Sequence, residues 1–189
     1  MVQIDLLTLS RMWHEEADKL LNYSQISSIL SRLGEVKIVG SYDYNLMLGP
    51  DLDIYVILPE DKAKAAALDA LNQLIKQNYW NGYLYYDFVV HSSKNHPGFP
   101  KAYYVGVKRD FSSSRWKVDI WFGQEDTLRV NNDWIKDNLN DENKKLILKL
   151  KAARNDGEIN TDSHDIYLAV LRNNVKNVEE FKKWSKHIT

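Results

Sequence analysis

The chain reads as an α+β protein with a helical C-terminal extension, and three observations predict this class. Short β-branched and aromatic runs fall between residues 36 and 122, helical apolar spacing precedes and separates them, and after Gly123 the chain turns to short amphipathic helices. Leu6, Leu9, Met12, Trp13, Leu20 and Leu21 predict a first helix over 3–22, and Ile26, Ile29, Leu30 and Leu33 a second that Gly34 stops. Strands are expected over 36–39, over 52–58 ending at Pro59, and over 83–91, with an alanine- and leucine-rich helix over 61–78 between the last two. The clearest hairpin pairs 103–109 with 115–122 around a polar turn at 110–114. Alternation along its second strand puts Trp116, Val118, Ile120 and Phe122 on one face and Lys117, Asp119 and Trp121 on the other. Helices are expected over 133–139, 142–154, 164–173 and 178–186, with a polar loop over 155–163. The change of character divides the chain into a core, 1–128, and a helical extension, 129–189.

With 189 residues, 44% of them hydrophobic and 12% aromatic, the chain can bury a core. A net charge of -1 gives no global attraction to nucleic acid or to an anionic membrane. The absence of cysteine excludes disulfides, thiolate metal sites and cysteine nucleophiles. Residues 1–10 lack a signal-peptide pattern and no apolar run reaches membrane-spanning length, so a soluble, cytoplasmic protein is expected.

The chemistry is concentrated in Val36-Lys37-Ile38-Val39-Gly40-Ser41, followed after nine residues by Asp51-Leu52-Asp53-Ile54-Tyr55-Val56. A strand ending in Gly-Ser lets the backbone turn tightly and presents amides and a hydroxyl that suit phosphate oxygens. In the Asp-x-Asp, alternation sets Asp51 and Asp53 on one side with Leu52 and Ile54 facing the core. Two carboxylates that close repel unless a cation lies between them, and an oxygen-only ligand set suits magnesium. Asp119 is a third strand acid, flanked by apolar residues and in need of a partner. If its strand pairs beside that of Asp51 and Asp53, the three acids converge into a two-metal site. Asp87 is a rival; Asp119 is preferred because its strand is better flanked and lies nearer the end of the β-rich region, while an unpaired sheet-edge acid is the plainer account of Asp87.

Gly40-Ser41-x9-Asp51-x-Asp53 followed by a strand aspartate resembles the signature of the DNA polymerase β-type nucleotidyltransferase superfamily, over roughly residues 24–122. The resemblance implies a small mixed sheet flanked by helices and Mg2+-dependent transfer of a nucleoside monophosphate from a nucleoside triphosphate such as ATP. It implies that Gly40 and Ser41 hold the triphosphate and that Asp51 and Asp53 bind two Mg2+ ions, with Mn2+ as the alternative. Asp119 would ligate the catalytic metal and help draw the proton from the acceptor hydroxyl. Many minimal members carry an arginine after Gly-Ser, where this sequence has Tyr42-Asp43-Tyr44.

The expected acceptor is a small molecule such as an antibiotic, with protein or RNA as alternatives. The competing reading is a nucleotide-binding module without turnover, of the kind that accompanies a toxin. Lys144, Lys145, Lys149, Lys151 and Arg154 are expected to form a solvated helix face, with triphosphate contact as the sharper alternative, and Arg172 and Lys176 share that ambiguity. The five histidines lack metal-ligand spacing and read as surface residues. Tyr42, Tyr44 and the Tyr83-Leu84-Tyr85-Tyr86 cluster are candidates for stacking a ring, with core packing as the cheaper account of at least half of them. Loop 92–100 is a candidate acceptor-binding segment.

Overall fold

The computed structural model describes residues 5–91, 99–128 and 132–186; the start of the first predicted helix, His96 and most of loop 92–100 lie outside them. The elements are α1 (Leu6–Ser24), α2 (Ile26–Leu30), β1 (Glu35–Val39), β2 (Asp51–Ile57), α3 (Glu60–Lys76), β3 (Gly82–Asp87), β4 (Tyr103–Phe111) and β5 (Ser114–Gly123). Then follow α4 (Glu125–Leu128), α5 (Asp133–Asp137), α6 (Asp141–Asn155), α7 (Ser163–Leu171) and α8 (Val178–Ser185). The strands form one mixed sheet in the order β1-β2-β5-β4-β3, parallel between β2 and β5 and antiparallel elsewhere.

Two compact units divide the chain. A sheet unit comprises His14–Asp43 and Gly49–Val130; a helical unit comprises Met1–Trp13, Tyr44–Leu48 and Asn131–Thr189. In the sheet unit, the small residues Ala63, Ala66, Ala67 and Ala70 are buried along α3 and let it lie close to one face of the sheet. Leu52, Ile54, Val118, Ile120, Val105 and Val107 are fully buried, as expected for the inward set of alternating strands. Contacts from α3 to Tyr83 and to Asp87, which share this face by register, fix which side it covers.

Gly34 works differently from its expected role as a helix stop. α2 ends at Leu30, and a Cβ at Gly34 would lie 2.7 Å from the Ile57 carbonyl oxygen; glycine there lets the chain pass close to β2. The hairpin turn is tighter than the sequence suggests: Phe111 pairs with Ser114, leaving two turn residues, with Ser112 left-handed at φ 52°. β3 stops at Asp87, whose carboxylate accepts the backbone N–H groups of Val89 and Val90 and so ends the strand.

The helical unit has its own core of Ile147, Leu148, Leu150, Ile166, Ala169 and Phe181. Tyr44 and Leu46, from the connection between β1 and β2, belong to that core. Lys151 is not part of a solvated face. It is 4% exposed, and its ammonium donates to the Leu46 carbonyl at 2.6 Å. Arg154 donates to Ser163 Oγ, and the Arg172 guanidinium lies over the Trp134 ring, 4.0 Å from its centroid. Among the described residues no helix is long and apolar enough to cross a membrane.

Candidate active site

β2 and β5 run side by side in parallel with Asp53 directly opposite Asp119 and Asp51 opposite Lys117. Directly paired residues share a face, so Asp51, Asp53, Lys117 and Asp119 all lie opposite the face covered by α3. Leu52, Ile54, Val118 and Ile120, the intervening positions, are the buried ones. Residues 66 positions apart (119 − 53) are thereby made neighbours.

Val39 pairs with Asp53, which delivers the Gly40 turn to the same place. Gly40 has φ +68°, and a Cβ there would stand 2.9 Å from Asp53 Oδ2. A side chain is thus excluded twice, by the left-handed backbone and by the carboxylate. Ser41 follows within the turn. Tyr42, next along, is not available to stack a ligand ring: it stacks on His14, with centroids 4.1 Å apart and planes 10° from parallel, and its hydroxyl donates to Asp18 Oδ1 at 2.6 Å. Burial, and after it the Asp18 carboxylate, pushes the Tyr42 phenol up to about 12, so it stays a donor at neutral pH. The Gly-Ser turn is in this way fastened to α1. Tyr44 is buried in the helical unit's core, and Tyr83 is held by the Trp80 carbonyl; neither is a ligand platform.

Asp119 is held from two sides. The Tyr104 hydroxyl donates to Oδ1 at 2.7 Å, and Lys117 Nζ lies 2.9 Å from Oδ2 and 3.5 Å from Asp51 Oδ1. Tyr104 reaches Asp119 because Gly106, directly opposite Asp119 in the register, has no side chain; a Cβ there would collide with the phenol. Burial and the nearby carboxylates raise the Tyr104 pKa far above that of a free phenol, so it acts as a permanent donor. For Lys117 burial pulls downward, but the Asp119 hydrogen bond and the charges of Asp51 and Asp119 outweigh it, and the pKa is raised above 10.5.

Among the described residues no group of three His, Asp or Glu side chains is closed around one point as a metal cage. The Lys117 ammonium provides the positive charge between Asp51 and Asp119. The donor set itself is all oxygen and on one face, which fits a hard divalent cation once the lysine side chain swings aside. Asp87 takes no part in the acidic face. It is ion-paired with Lys64 at 3.2 Å, so it is neither unpaired nor close to the other three acids in register.

Next to Asp119 lies a pocket of about 660 Å³, lined by Tyr86, Phe88, Phe99, Tyr104 and Trp121 together with Lys117 and Asp119. Sequence reasoning missed Tyr104, Gly106 and this pocket. The spacing Tyr104-x-Gly106 opposite Asp119 is the signal, and it has meaning only once the register is known.

No protein-family model matches the sequence, and no curated protein matches it. Solved structures do. Cid1, an RNA terminal uridylyl transferase, superposes with a TM-score of 0.61 at 19% identity over 85% of this chain and 47% of its own. The GLD-2/RNP-8 complex matches with a TM-score of 0.50 at 17% identity, over 89% of this chain and 55% of that one. The fold is that of the DNA polymerase β-type nucleotidyltransferases. The present chain spans about half the length of each of these structures. Within the nucleotidyltransferase fold, Gly40-Ser41 follows β1 and the three acids sit on the two central parallel strands.

Proposed function

We propose that this chain is a metal-dependent nucleotidyltransferase that moves a nucleoside monophosphate from a nucleoside triphosphate to a hydroxyl of a small-molecule acceptor. The observation that carries the reading is the direct pairing of Asp53 with Asp119, with Asp51 on the same face and the Gly40 turn against Asp53. We assign residues 1–128 to the transferase core and 129–189 to a helical extension.

In this reading Gly40 and Ser41 hold the triphosphate, and Asp51, Asp53 and Asp119 hold Mg2+, or Mn2+ in its place. Bound divalent ions would neutralise phosphate charge and lower the pKa of the acceptor hydroxyl. The acceptor oxygen bonds to the α-phosphorus, the bond from that phosphorus to the bridging oxygen breaks, and pyrophosphate leaves with the electron pair. Tyr104 fixes Asp119 Oδ1, which leaves Oδ2, freed from Lys117, to take the hydroxyl proton.

Labelled ATP, GTP, CTP and UTP, each with Mg2+ and a panel of hydroxylic acceptors, test the reading by mass spectrometry. The RNA terminal uridylyl transferase activity of Cid1 makes a short RNA the control acceptor. Adducts from the wild type, lost in both Asp53→Ala and Asp119→Ala, are expected; activity retained in both variants would sink the assignment. One observation favours a second reading, a nucleotide-binding module without turnover: Lys117 already bridges Asp51 and Asp119. Calorimetry showing triphosphate binding with Mg2+ but no product over long incubation would select it.

A further inference from the structure

The pocket beside Asp119 lies across β5, β4 and β3, whereas Gly40 lies beyond β2 at the β1 edge. The acidic pair therefore has the Gly-Ser turn on one side and an aromatic chamber on the other. Phe88 and Trp121 stack with centroids 5.6 Å apart and planes 29° from parallel; Phe99 stands edge-on to both, and Tyr104 lies 4.9 Å from Trp121. Tyr86, 50% exposed, and Phe99, 46% exposed, present ring surface that the core does not consume. Uncovered aromatic surface converging on a few polar groups is the usual make-up of a small-molecule site, and about 660 Å³ is a suitable volume for one.

We infer that this chamber binds the acceptor, and that the acceptor is a free, uncharged or cationic small molecule carrying a planar ring and a hydroxyl. The inference deepens the transferase reading and rests on it for the word acceptor. A ring stacked in the chamber brings its hydroxyl up to Asp119, the one acid of the three that lines the pocket. Charge decides against a polyanion: Asp87 is neutralised by Lys64, which leaves Asp119 and Lys117 as the charged lining residues, and Lys117 is bound to two carboxylates. A nucleic-acid strand needs cationic partners for its phosphates, and these residues offer no surplus.

The test is ligand-observed NMR on the full chain with a fragment library of hydroxylated aromatic rings, adenosine and uridine included, and a ten-nucleotide RNA as comparator. Tyr86→Ala and Phe99→Ala remove half-exposed rings and leave the buried core in place. Ring fragments should bind the wild type and Asp53→Ala alike, and each ring deletion should weaken them about tenfold, the scale of one lost stacking partner. In any transfer assay the same deletions should raise the acceptor KM with little change in kcat. Ring binding without product from the wild type would sustain the chamber and remove the transferase reading. Product formation with an acceptor KM indifferent to both deletions would do the reverse. A library without binders sensitive to Tyr86 and Phe99, or RNA binding that those deletions weaken and ring fragments do not displace, overturns the inference.

Discussion

The two faces of the five-stranded sheet are built from the same strands, yet they do opposite things. Leu52, Ile54, Val118 and Ile120 lie on the face under α3 and are fully buried. Asp51, Asp53, Lys117 and Asp119 alternate with them and gather charge on the other. Parity along the strand sends the apolar side chains to one face and the charged ones to the other. The first face lowers its free energy by excluding water. The second holds like charges together with one lysine and one phenol, an arrangement that adds little stability.

The sharpest way to break this comparison is to truncate one residue from each face. Asp53→Ala and Asp119→Ala should each cut pyrophosphate release by on the order of a thousandfold or more, because ligands to the charge-stabilising ions account for several kcal/mol of barrier. Their melting temperatures should stay close to the wild type. Ile120→Ala should do the converse: a loss of about 2–5 kcal/mol in denaturant unfolding, with the remaining folded protein active. An active-site variant that unfolds, or a core variant that is stable but inactive, would erase the division of labour.

Gly106→Val comes next, since it drives Tyr104 off Asp119 from within the sheet. Overpacking of this kind costs about 1–3 kcal/mol, and activity should fall further than Tyr104→Phe alone lowers it. Urea titration and steady-state kinetics on the two variants separate the effects.

Lys117→Met sharpens the electrostatic half of the comparison. With the ammonium gone, Mg2+ no longer competes for Asp51 and Asp119, and its apparent affinity should rise by about tenfold, equivalent to about 1.4 kcal/mol. Activity measured against Mg2+ concentration checks this: half-maximal activation should move to lower Mg2+, and a move to higher Mg2+ would show that the lysine assists rather than competes.

The smallest effect is at Asp87, on the stabilising face. Burial alone would raise its pKa, but the Val90 and Val89 amides and Lys64 outweigh it, and the folded value lies below 3.8. The unfolded chain then takes up the proton more readily, so the contribution is complete above that ordinary value and fades as pH falls through the folded one. Asp87→Asn should therefore melt earlier than the wild type at neutral pH and show a shallower loss of stability below about pH 4, read from melting temperatures across an acid series.

Much of this was legible beforehand because period-2 alternation is a local property. Asp51 and Asp53 about Leu52, and Lys117 and Asp119 about Val118, have their faces assigned by the chain itself. Register between distant strands is not local. Nothing in the sequence around Tyr104 announces that Gly106 lies opposite Asp119, and the chamber depends on three strands meeting in one order. Lys151 was misread for a related reason. A lysine among lysines looks solvated, and only the path of residues 44–48 supplies the carbonyl that draws it inward.

That path has a practical corollary for anyone who trims the chain. Tyr44, Leu46 and Met47, 6%, 0% and 0% exposed, lie in the connection between the Gly-Ser turn and Asp51, and Tyr44 and Leu46 pack into a core otherwise made of residues beyond 130 or near the amino end. Cutting after 128 would strip that connection of its cover and expose greasy surface in the segment leading to the first acid. Such a fragment should precipitate or aggregate on expression, and light scattering would reveal it; the helices after 128 and residues 44–46 share one core and are best kept together.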